Sequence, residues 1–249
     1  MKKNTKVNAA ILIIGNEILS GRTQDTNTST IAIWLNSIGV KVQEVRVIPD
    51  IKETIVNTIN FLRKNNNYVF TTGGIGPTHD DITAESISEA FNLNYEIHNE
   101  AFKILESYYK VGEFNEGRQK MVWMPKDAKL ILNPTSGAPG FSVENVFCLP
   151  GVPSILKSML GGLKNEIVGG EPILSYTISL KTVESEIASS LTSVQNNNKD
   201  VEIGSYPFFQ AGKLGVSIVI RSEDQSKIDN CNSQILKFVN EKKIEVVDR

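Results

Sequence analysis

The sequence has little cysteine, histidine or tryptophan, with two of each among 249 residues. Cys148 and Cys231 suggest neither a disulfide framework nor a metal-thiolate site. Cys148 lies in an apolar segment, where we expect a buried small hydrophobe, whereas Cys231 lies on a polar-looking helix. This use of cysteine is typical of a reducing compartment, so we expect a cytoplasmic protein.

A dominant charge sign and long apolar runs are also lacking. The 26 basic and 28 acidic residues give a formal net charge of −2, and no basic stripe favours nucleic acid as a partner. The apolar run at residues 9–14 is only as long as a strand, so we expect neither a signal peptide nor a membrane span. Any recognition of phosphate must therefore be local.

Residues 71–83 are the most informative stretch of the chain. They read Thr-Thr-Gly-Gly-Ile-Gly-Pro-Thr-His-Asp-Asp-Ile-Thr, after a strand-like segment at 68–70 and before a helix-like one at 84–91. Glycines let the backbone approach a phosphate, and free N–H groups at a helix start point at it. Asp80 and Asp81 stand at the same place, and carboxylates beside a phosphate require a cation between them. The stretch predicts a phosphate-bearing ligand with a divalent metal ion, Mg²⁺ or a similar one.

A simpler interpretation of this stretch stays open. Asp81 or Thr83 could cap the following helix, and the glycines could serve only a tight turn. A Gly-Gly-x-Gly loop alone does not separate the two interpretations.

The first 170 residues alternate between strand-like and helix-like segments. Val7–Ile14 is a continuous apolar run, typical of a parallel strand that is buried on both faces. Ile31 and Leu35 keep helical spacing before Gly39, which ends that helix. This alternation predicts an α/β fold for residues 1–170, a three-layer, doubly wound and mostly parallel sheet.

In such a sheet, ligands bind beyond the carboxyl ends of the strands. Residues 15–17, Asp50, 73–81 and 150–151 each follow a predicted strand directly, so we expect them to converge. The small residues at 136–140 form a predicted loop. They suit a close backbone approach to a flat or bulky group, and they suit an ordinary turn equally well.

Glycine pairs at 161–162 and 169–170 predict a boundary near residue 170. Beyond it, strand and helix patterns follow in the order βαββα, with a last edge strand at 244–247. The predicted segments are strands at 173–183, 201–209 and 213–221 and helices at 184–195 and 225–242. This order predicts a small α+β, ferredoxin-like domain in residues 171–249.

Five strings between residues 10 and 160 resemble the molybdopterin-binding (MoaB/Mog) domain, in the MogA-like form found at the N-terminus of the competence/damage-inducible protein A (CinA) family. Asp25 and Asn27 follow the first string in the Asp-x-Asn arrangement of that family. Residues 204–207, Gly-Ser-Tyr-Pro, resemble a string of the second CinA-type domain, although a turn with a proline stop explains them as well. The five strings are 12–21, 47–50, 71–83, 136–141 and 149–153.

The resemblance implies a set of site residues. In the adenylyltransferase branch of this superfamily, the aspartates that match Asp50 and Asp81 carry catalysis, so these two become the candidate catalytic and metal-binding residues. Asp80 stands where that branch often has a basic residue, which argues against identical chemistry. The candidate ligand-binding residues are Gly15, Asn16, Glu17, Thr72, Gly73, Gly74, Gly76, Pro77, Thr78, Asp80, Ser136, Gly137, Ala138, Gly140, Pro150 and Gly151.

The resemblance leaves three functions open. The first is a metal-dependent nucleotide pyrophosphatase that cleaves an ADP-ribose-like or FAD-like dinucleotide, since these activities are associated with CinA proteins and with eukaryotic FAD synthase. The second is molybdopterin binding or adenylyl transfer in molybdenum cofactor biosynthesis, and the third is a non-catalytic scaffold. In each enzyme case the partner is a nucleotide or pterin-phosphate small molecule. The resemblance also implies a homo-oligomer, most simply a dimer. Because the chain ends near residue 249, we expect no amidase domain of the full-length CinA type.

Four other polar residues carry alternatives. His79 is either a general acid or ligand, or a positional loop residue. Glu17 either approaches the site from the first loop or is a solvated carboxylate. Arg118 and Lys120 either neutralise a phosphate or belong to an exposed helix face.

Overall fold

The computed structural model describes residues 7–210 and 213–247, apart from the side chains of Gln210 and Lys213. The chain divides into two compact units, residues 1–170 and residues 171–249. In the described residues, the first unit contains a six-stranded sheet, a two-stranded sheet and two apolar cores, and the second contains a four-stranded sheet and one apolar core. No helix in the described part of the chain has the length and apolar character that crossing a bilayer requires.

The first unit alternates strands and helices. Its strands are β1 Val7–Ile14, β2 Val40–Ile48, β3 Tyr68–Thr72, β4 Tyr95–Ile97, β5 Trp123–Pro125, β6 Lys129–Ile131, β7 Gly140–Val143 and β8 Val146–Leu149. Its α-helices are α1 Asn16–Leu19, α2 Asn27–Ser37, α3 Lys52–Asn65, α4 Thr83–Ala90, α5 Asn99–Tyr108, α6 Glu116–Gln119 and α7 Pro153–Leu160, with 3₁₀ turns at Lys120–Val122 and Gly161–Leu163.

Six of these strands form one sheet in the order β2-β1-β3-β8-β7-β6. Strands β2, β1, β3 and β8 are parallel, and β7 and β6 are antiparallel to their neighbours. Alternate residues of β1 face two separate cores: Leu12 belongs to the core with α3, α4 and α5, and Ile11 to the core with α2 and α7. Helices therefore cover both faces, and the predicted mostly parallel α/β fold is confirmed.

Residues 140–143 are a strand, so the expectation that Gly140 belongs to a loop is wrong, and its contact with a ligand stays a prediction. Strand β7 pairs with β6 and β8, and a Cβ at Gly140 would lie 2.4 Å from the carbonyl oxygen of Cys148. Gly140 is thus needed for close strand packing. The separate two-stranded sheet of β4 and β5 was not predicted either, because strands of three residues are too short to show a period.

The second unit has the order β9, α8, β10, β11, α9, β12. The bounds are β9 Leu174–Leu180, α8 Glu184–Asn197, β10 Glu202–Gln210, β11 Lys213–Ser222, α9 Gln225–Glu241 and β12 Val246–Val247. The strands are antiparallel in the order β10-β11-β9-β12, which is the expected ferredoxin-like arrangement.

One interpretation for the second unit is corrected. The Gly-Ser-Tyr-Pro string is not a turn, because Gly204 and Pro207 lie within β10, paired with Val219 and Val216. A proline is tolerated there since β10 is an edge strand. Cys231 is fully buried on the inner face of α9, despite the polar appearance of that helix.

Candidate functional site

The carboxyl ends of four parallel strands bring the predicted loops to one edge of the first sheet. The N–H of Gly15 donates to the carbonyl oxygen of Ile48 at 3.2 Å, and the N–H of Asn16 donates to Oδ2 of Asp50 at 2.9 Å. The N–H of Gly73 donates to the carbonyl oxygen of Leu149 at 3.1 Å. The structure therefore joins the loops after β1, β2, β3 and β8.

The loop after β3 requires glycine at two consecutive positions. Gly73 has a φ of 103° and Gly74 a φ of 68°. A Cβ would lie 2.1 Å from the carbonyl oxygen of Ile14 at the first position and 2.1 Å from Oγ1 of Thr83 at the second. An L-residue at either position would therefore be strained by its backbone and blocked by its neighbours.

Thr83, at the start of α4, donates hydrogen bonds to two carbonyl groups of this loop. Its N–H donates to the carbonyl oxygen of Gly74 at 2.9 Å, and its buried hydroxyl donates to that of Gly73 at 3.0 Å. The next N–H groups along the loop, those of Gly74, Ile75 and Gly76, have no acceptor among the described residues, and these residues are partly exposed. Three consecutive donors without a protein acceptor, on partly exposed residues, are suited to an anion.

Asp81 closes a turn at the tip of the loop. Its Oδ2 accepts hydrogen bonds from the N–H of Thr78 at 2.7 Å and from the hydroxyl of Thr78 at 2.5 Å. A Cβ at Gly76 would lie 2.7 Å from the same oxygen. Ile82 precedes α4 without a side-chain cap, so the interpretation of Asp81 or Thr83 as the helix cap is wrong.

Negative charge accumulates where the first, second and third loops meet. Burial raises the pKa of the Asp50 carboxyl, and the charges of Glu17 and Asp80 raise it further, against the effect of the Asn16 N–H. The Glu17 carboxylate folds back over Gly15, where a Cβ would lie 2.6 Å from its oxygens. The pKa of the exposed Asp80 carboxyl is lowered, first by its polar neighbour Thr78 and then by its own backbone N–H. This edge thus carries carboxylates that a cation would stabilise.

The side chain of Asn27 connects the end of β3 to the loop after β8. Its Nδ2 donates to Oγ1 of Thr72 at 2.9 Å and to the carbonyl oxygen of Gly151 at 2.7 Å. The Thr72 hydroxyl donates to the carbonyl oxygen of Pro150 at 3.0 Å. The sequence had suggested that Thr72 offers its hydroxyl to a ligand. Thr72 is instead buried, and its hydroxyl is bonded within the protein. Asp25 in turn holds the start of α2, since its Oδ1 accepts from the N–H of Asn27 at 2.9 Å.

The loop at residues 136–138 is organised by its own neighbours. Asn133 Nδ2 donates to Oγ of Ser136 at 2.7 Å and to the carbonyl oxygen of Ala138 at 2.8 Å. Gly137 has a φ of 75°, and a Cβ there would lie 2.8 Å from the Tyr108 ring. This geometry favours the ordinary turn over a ligand contact for these residues.

A narrow slot opens beside the glycine loop. Lys120 lies in its wall, and its Nζ donates to the carbonyl oxygen of Thr78. Arg118 does not reach the loop, because its guanidinium donates to the carbonyl oxygen of Glu113 at 2.5 Å and stacks on a tyrosine ring. His79 is almost fully exposed. The lining residues are Gly74, Ile75, Gly76, Asp81, Ala84, Tyr95, Lys120, Met121, Trp123, Met124, Pro139 and Phe141.

Some of these placements were not predicted from the sequence. The role of Asn27 was missed, although its Asp-x-Asn string had been noticed, and Trp123 and Pro139 had not been placed beside the loop. Within the described ranges, no group of three or more His, Cys, Asp or Glu side chains is placed to hold a metal ion by itself. Any metal at this edge must therefore draw part of its coordination from a ligand or from water.

Comparison with known proteins agrees with this geometry. Residues 10–169 match the family described as a probable molybdopterin binding domain, and residues 172–248 match the middle domain of FAD synthase. A protein of Archaeoglobus fulgidus is 33% identical over 234 residues, which cover 94% of this chain and 98% of that protein. A protein of Caldivirga maquilingensis is 39% identical over 158 residues, which cover 61% of this chain and 62% of that protein.

A solved structure shows the same likeness. The protein CinA of Thermoplasma acidophilum, described as of unknown function, aligns with a TM-score of 0.60 and 30% identity, covering 65% of this chain and 99% of that chain. The family match spans more than half of the chain and contains all four loops that meet at the candidate site. The chain therefore belongs to the probable molybdopterin-binding domain family, in its CinA-like form.

Proposed function

We propose that this protein is a metal-dependent nucleotide pyrophosphatase that cleaves an ADP-ribose-like or FAD-like dinucleotide. The observation that carries the proposal is the meeting of open N–H donors with carboxylates at one edge of the sheet. The donors of Gly74, Ile75 and Gly76 suit phosphate oxygens. Asp50 and Asp80 lie at the same edge and would repel that phosphate unless a cation were bound with it.

The side chains present fit Mg²⁺ or a similar ion. Mg²⁺ is usually bound through one or two carboxylates together with substrate phosphates and water, so it does not require a cage of three protein ligands. Asp50 is partly buried, with its pKa raised by desolvation and by neighbouring carboxylates, which is the environment of a carboxylate that gains from a cation. Asp50 and Asp81 would hold the ion, which would neutralise charge on the phosphate oxygens.

The residues of the chain would bind and orient the reactants. The three loop N–H groups would hold the non-bridging oxygens of the adenylate phosphate, and Asp50 would orient a water molecule beside it. The water oxygen forms a bond to one phosphorus while the bond from that phosphorus to the bridging oxygen breaks. The bridging oxygen leaves with the second phosphate, and the products are AMP and a phosphorylated fragment. Thr83 and Asn27 would keep the loop in place during the reaction.

Two observations favour hydrolysis over adenylyl transfer to molybdopterin. Asp80 is ionised at neutral pH, since its pKa is lowered, and it stands at the tip of the loop. Such a charge repels an incoming pterin phosphate by roughly 1 kcal/mol or more at a few ångströms, whereas water is unaffected. In addition, the second unit matches the middle domain of FAD synthase, whose name connects it with a dinucleotide. The three open N–H donors argue against a scaffold without a ligand.

The proposal is tested by offering both kinds of substrate. We expect AMP from ADP-ribose or FAD with water as the acceptor, and no consumption of ATP in the presence of molybdopterin. Asp80→Arg should weaken hydrolysis without creating transfer, because one residue does not build a pterin pocket. Adenylation of molybdopterin by the wild-type protein would overturn the assignment.

A further inference from the structure

We propose that Lys120 binds the phosphate of the ligand and supplies, from another part of the chain, the positive charge that position 80 lacks. The inference rests on the proposed function, because it names a residue of that same site. It concerns the adenylate phosphate held by the N–H groups of the glycine loop. Position 80 carries an aspartate, and residues 71–83 contain neither lysine nor arginine.

Lys120 reaches the loop through the fold. It begins the 3₁₀ turn Lys120–Val122, which leads into β5, and its Nζ donates to the carbonyl oxygen of Thr78. It lines the same slot as Gly74 and Gly76. Its charge also acts on Asp80, as one cause of the lowered pKa of that carboxyl. The ammonium group of Lys120 therefore contacts the glycine loop, although Lys120 follows Thr78 by 42 residues in the sequence.

Lys52 and Arg118, the other cations considered near this site, form ion pairs or hydrogen bonds with other residues. Lys52, two residues after Asp50, forms ion pairs at 3.0 Å with Glu85 and at 2.8 Å with Glu89 of α4. Arg118 is held by Glu113 and by a tyrosine ring. The Lys120 ammonium has three donors, and in the described part of the chain only the bond to the Thr78 carbonyl is assigned to it.

Exchange of that carbonyl for a phosphate oxygen would be favourable. The Lys120 ammonium bonds a neutral carbonyl less strongly than it would bond a phosphate oxygen, because in the second case both donor and acceptor are charged. Lys120 would also separate the phosphate from Asp80. The placement of this cation explains how a loop with an aspartate at position 80 binds an anion.

Binding of AMP tests the proposal without turnover, because AMP has no anhydride to cleave. With Mg²⁺ present, calorimetry should show that Lys120→Gln binds AMP at least about tenfold more weakly than wild type, while Lys120→Arg stays within about threefold. Lys126→Gln removes a lysine beyond the other end of β5 and should bind like wild type. In the Lys120→Gln background, Asp80→Arg should restore most of the affinity, since it returns a cation to the loop.

A second readout separates phosphate binding from bracing of the loop. Affinity for AMP should fall with added salt in the wild type, less steeply in Lys120→Gln, and steeply again in the double variant. Wild-type affinity in Lys120→Gln, or no recovery in the double variant while it remains folded by circular dichroism, would overturn the role of Lys120. AMP binding that follows the expected pattern without hydrolysis of any dinucleotide would refute the pyrophosphatase proposal and leave Lys120 as the phosphate ligand.

Discussion

Substitution of Asp81 separates its negative charge from its part in the shape of the loop. Its Oδ2 accepts two hydrogen bonds from Thr78, at 2.7 and 2.5 Å. In Asp81→Asn, an amide oxygen keeps both acceptor contacts while the charge is lost. In Asp81→Ala, both contacts and the charge are lost. The two variants together show which property the function needs.

The structure sets the expected magnitudes. Thr78 is exposed, so water replaces the acceptor that Asp81→Ala removes, and this variant should lower the free energy of unfolding by about 1–2 kcal/mol. Asp81→Asn keeps the acceptor and should lower the free energy of unfolding by less than about 1 kcal/mol. Each kcal/mol corresponds to about 2–4 °C in the melting temperature for a unit of this size. Loss of a carboxylate that holds a metal should lower kcat for AMP release by about 100-fold or more in both variants.

The assay combines initial rates of AMP release with thermal unfolding followed by circular dichroism. Asp127→Asn is a matched control, because Asp127 is exposed on a turn with a φ of 60°, a conformation that asparagine adopts readily. It should keep both the rate and the melting temperature. Wild-type turnover by a folded Asp81→Asn protein would refute the reasoning and leave Asp81 as a structural residue of the loop.

Asp50, Asn27 and the assembly state give the other expected outcomes. The pKa of Asp50 is raised in the folded protein, so its ionised form lowers stability as pH rises. Asp50→Asn should therefore abolish activity yet raise the melting temperature of the metal-free protein at pH 7. This gain should vanish below about pH 4, and a lower melting temperature at pH 7 would contradict the sign. Asn27→Leu leaves Thr72 and Gly151 without their buried donor, and should lower the free energy of unfolding in urea by about 2–4 kcal/mol. The exposed control Asn57→Leu should change it by less than about 0.5 kcal/mol. Light scattering should give about twice the chain mass of 27.5 kDa, since the small second unit gains from further packing, and a monomer at micromolar concentration would exclude the dimer.

The elements that could be predicted from the sequence are those with local signals. The apolar run of β1 and the helical spacing that ends at Gly39 gave segments that the structure confirms. The positive φ angles of Gly73 and Gly74 confirm that this loop requires glycine, and its use as an anion site stays a prediction. Parallel strands then place their following loops at one edge, so the convergence of these loops also followed from the pattern.

The errors arise where distant residues decide the outcome. Gly140 looks like a loop residue, but its neighbour across the sheet, Cys148, requires a residue without a Cβ. The hydroxyl of Thr72 was expected to face a ligand, but contacts with Asn27 of α2 and with Pro150, after β8, turn it inward. Neither the packing of Gly140 nor the contacts of Thr72 leave a periodic signal in the sequence.

Metal-dependent release of AMP from a dinucleotide tests the central claim most directly. The purified protein is exhaustively treated with a chelator, offered ADP-ribose and FAD in turn, and then supplied with Mg²⁺ or Mn²⁺. We expect no AMP before the metal is returned and AMP from at least one of the two dinucleotides afterwards. Full activity after chelation, or no AMP from either dinucleotide with either metal, would contradict the account.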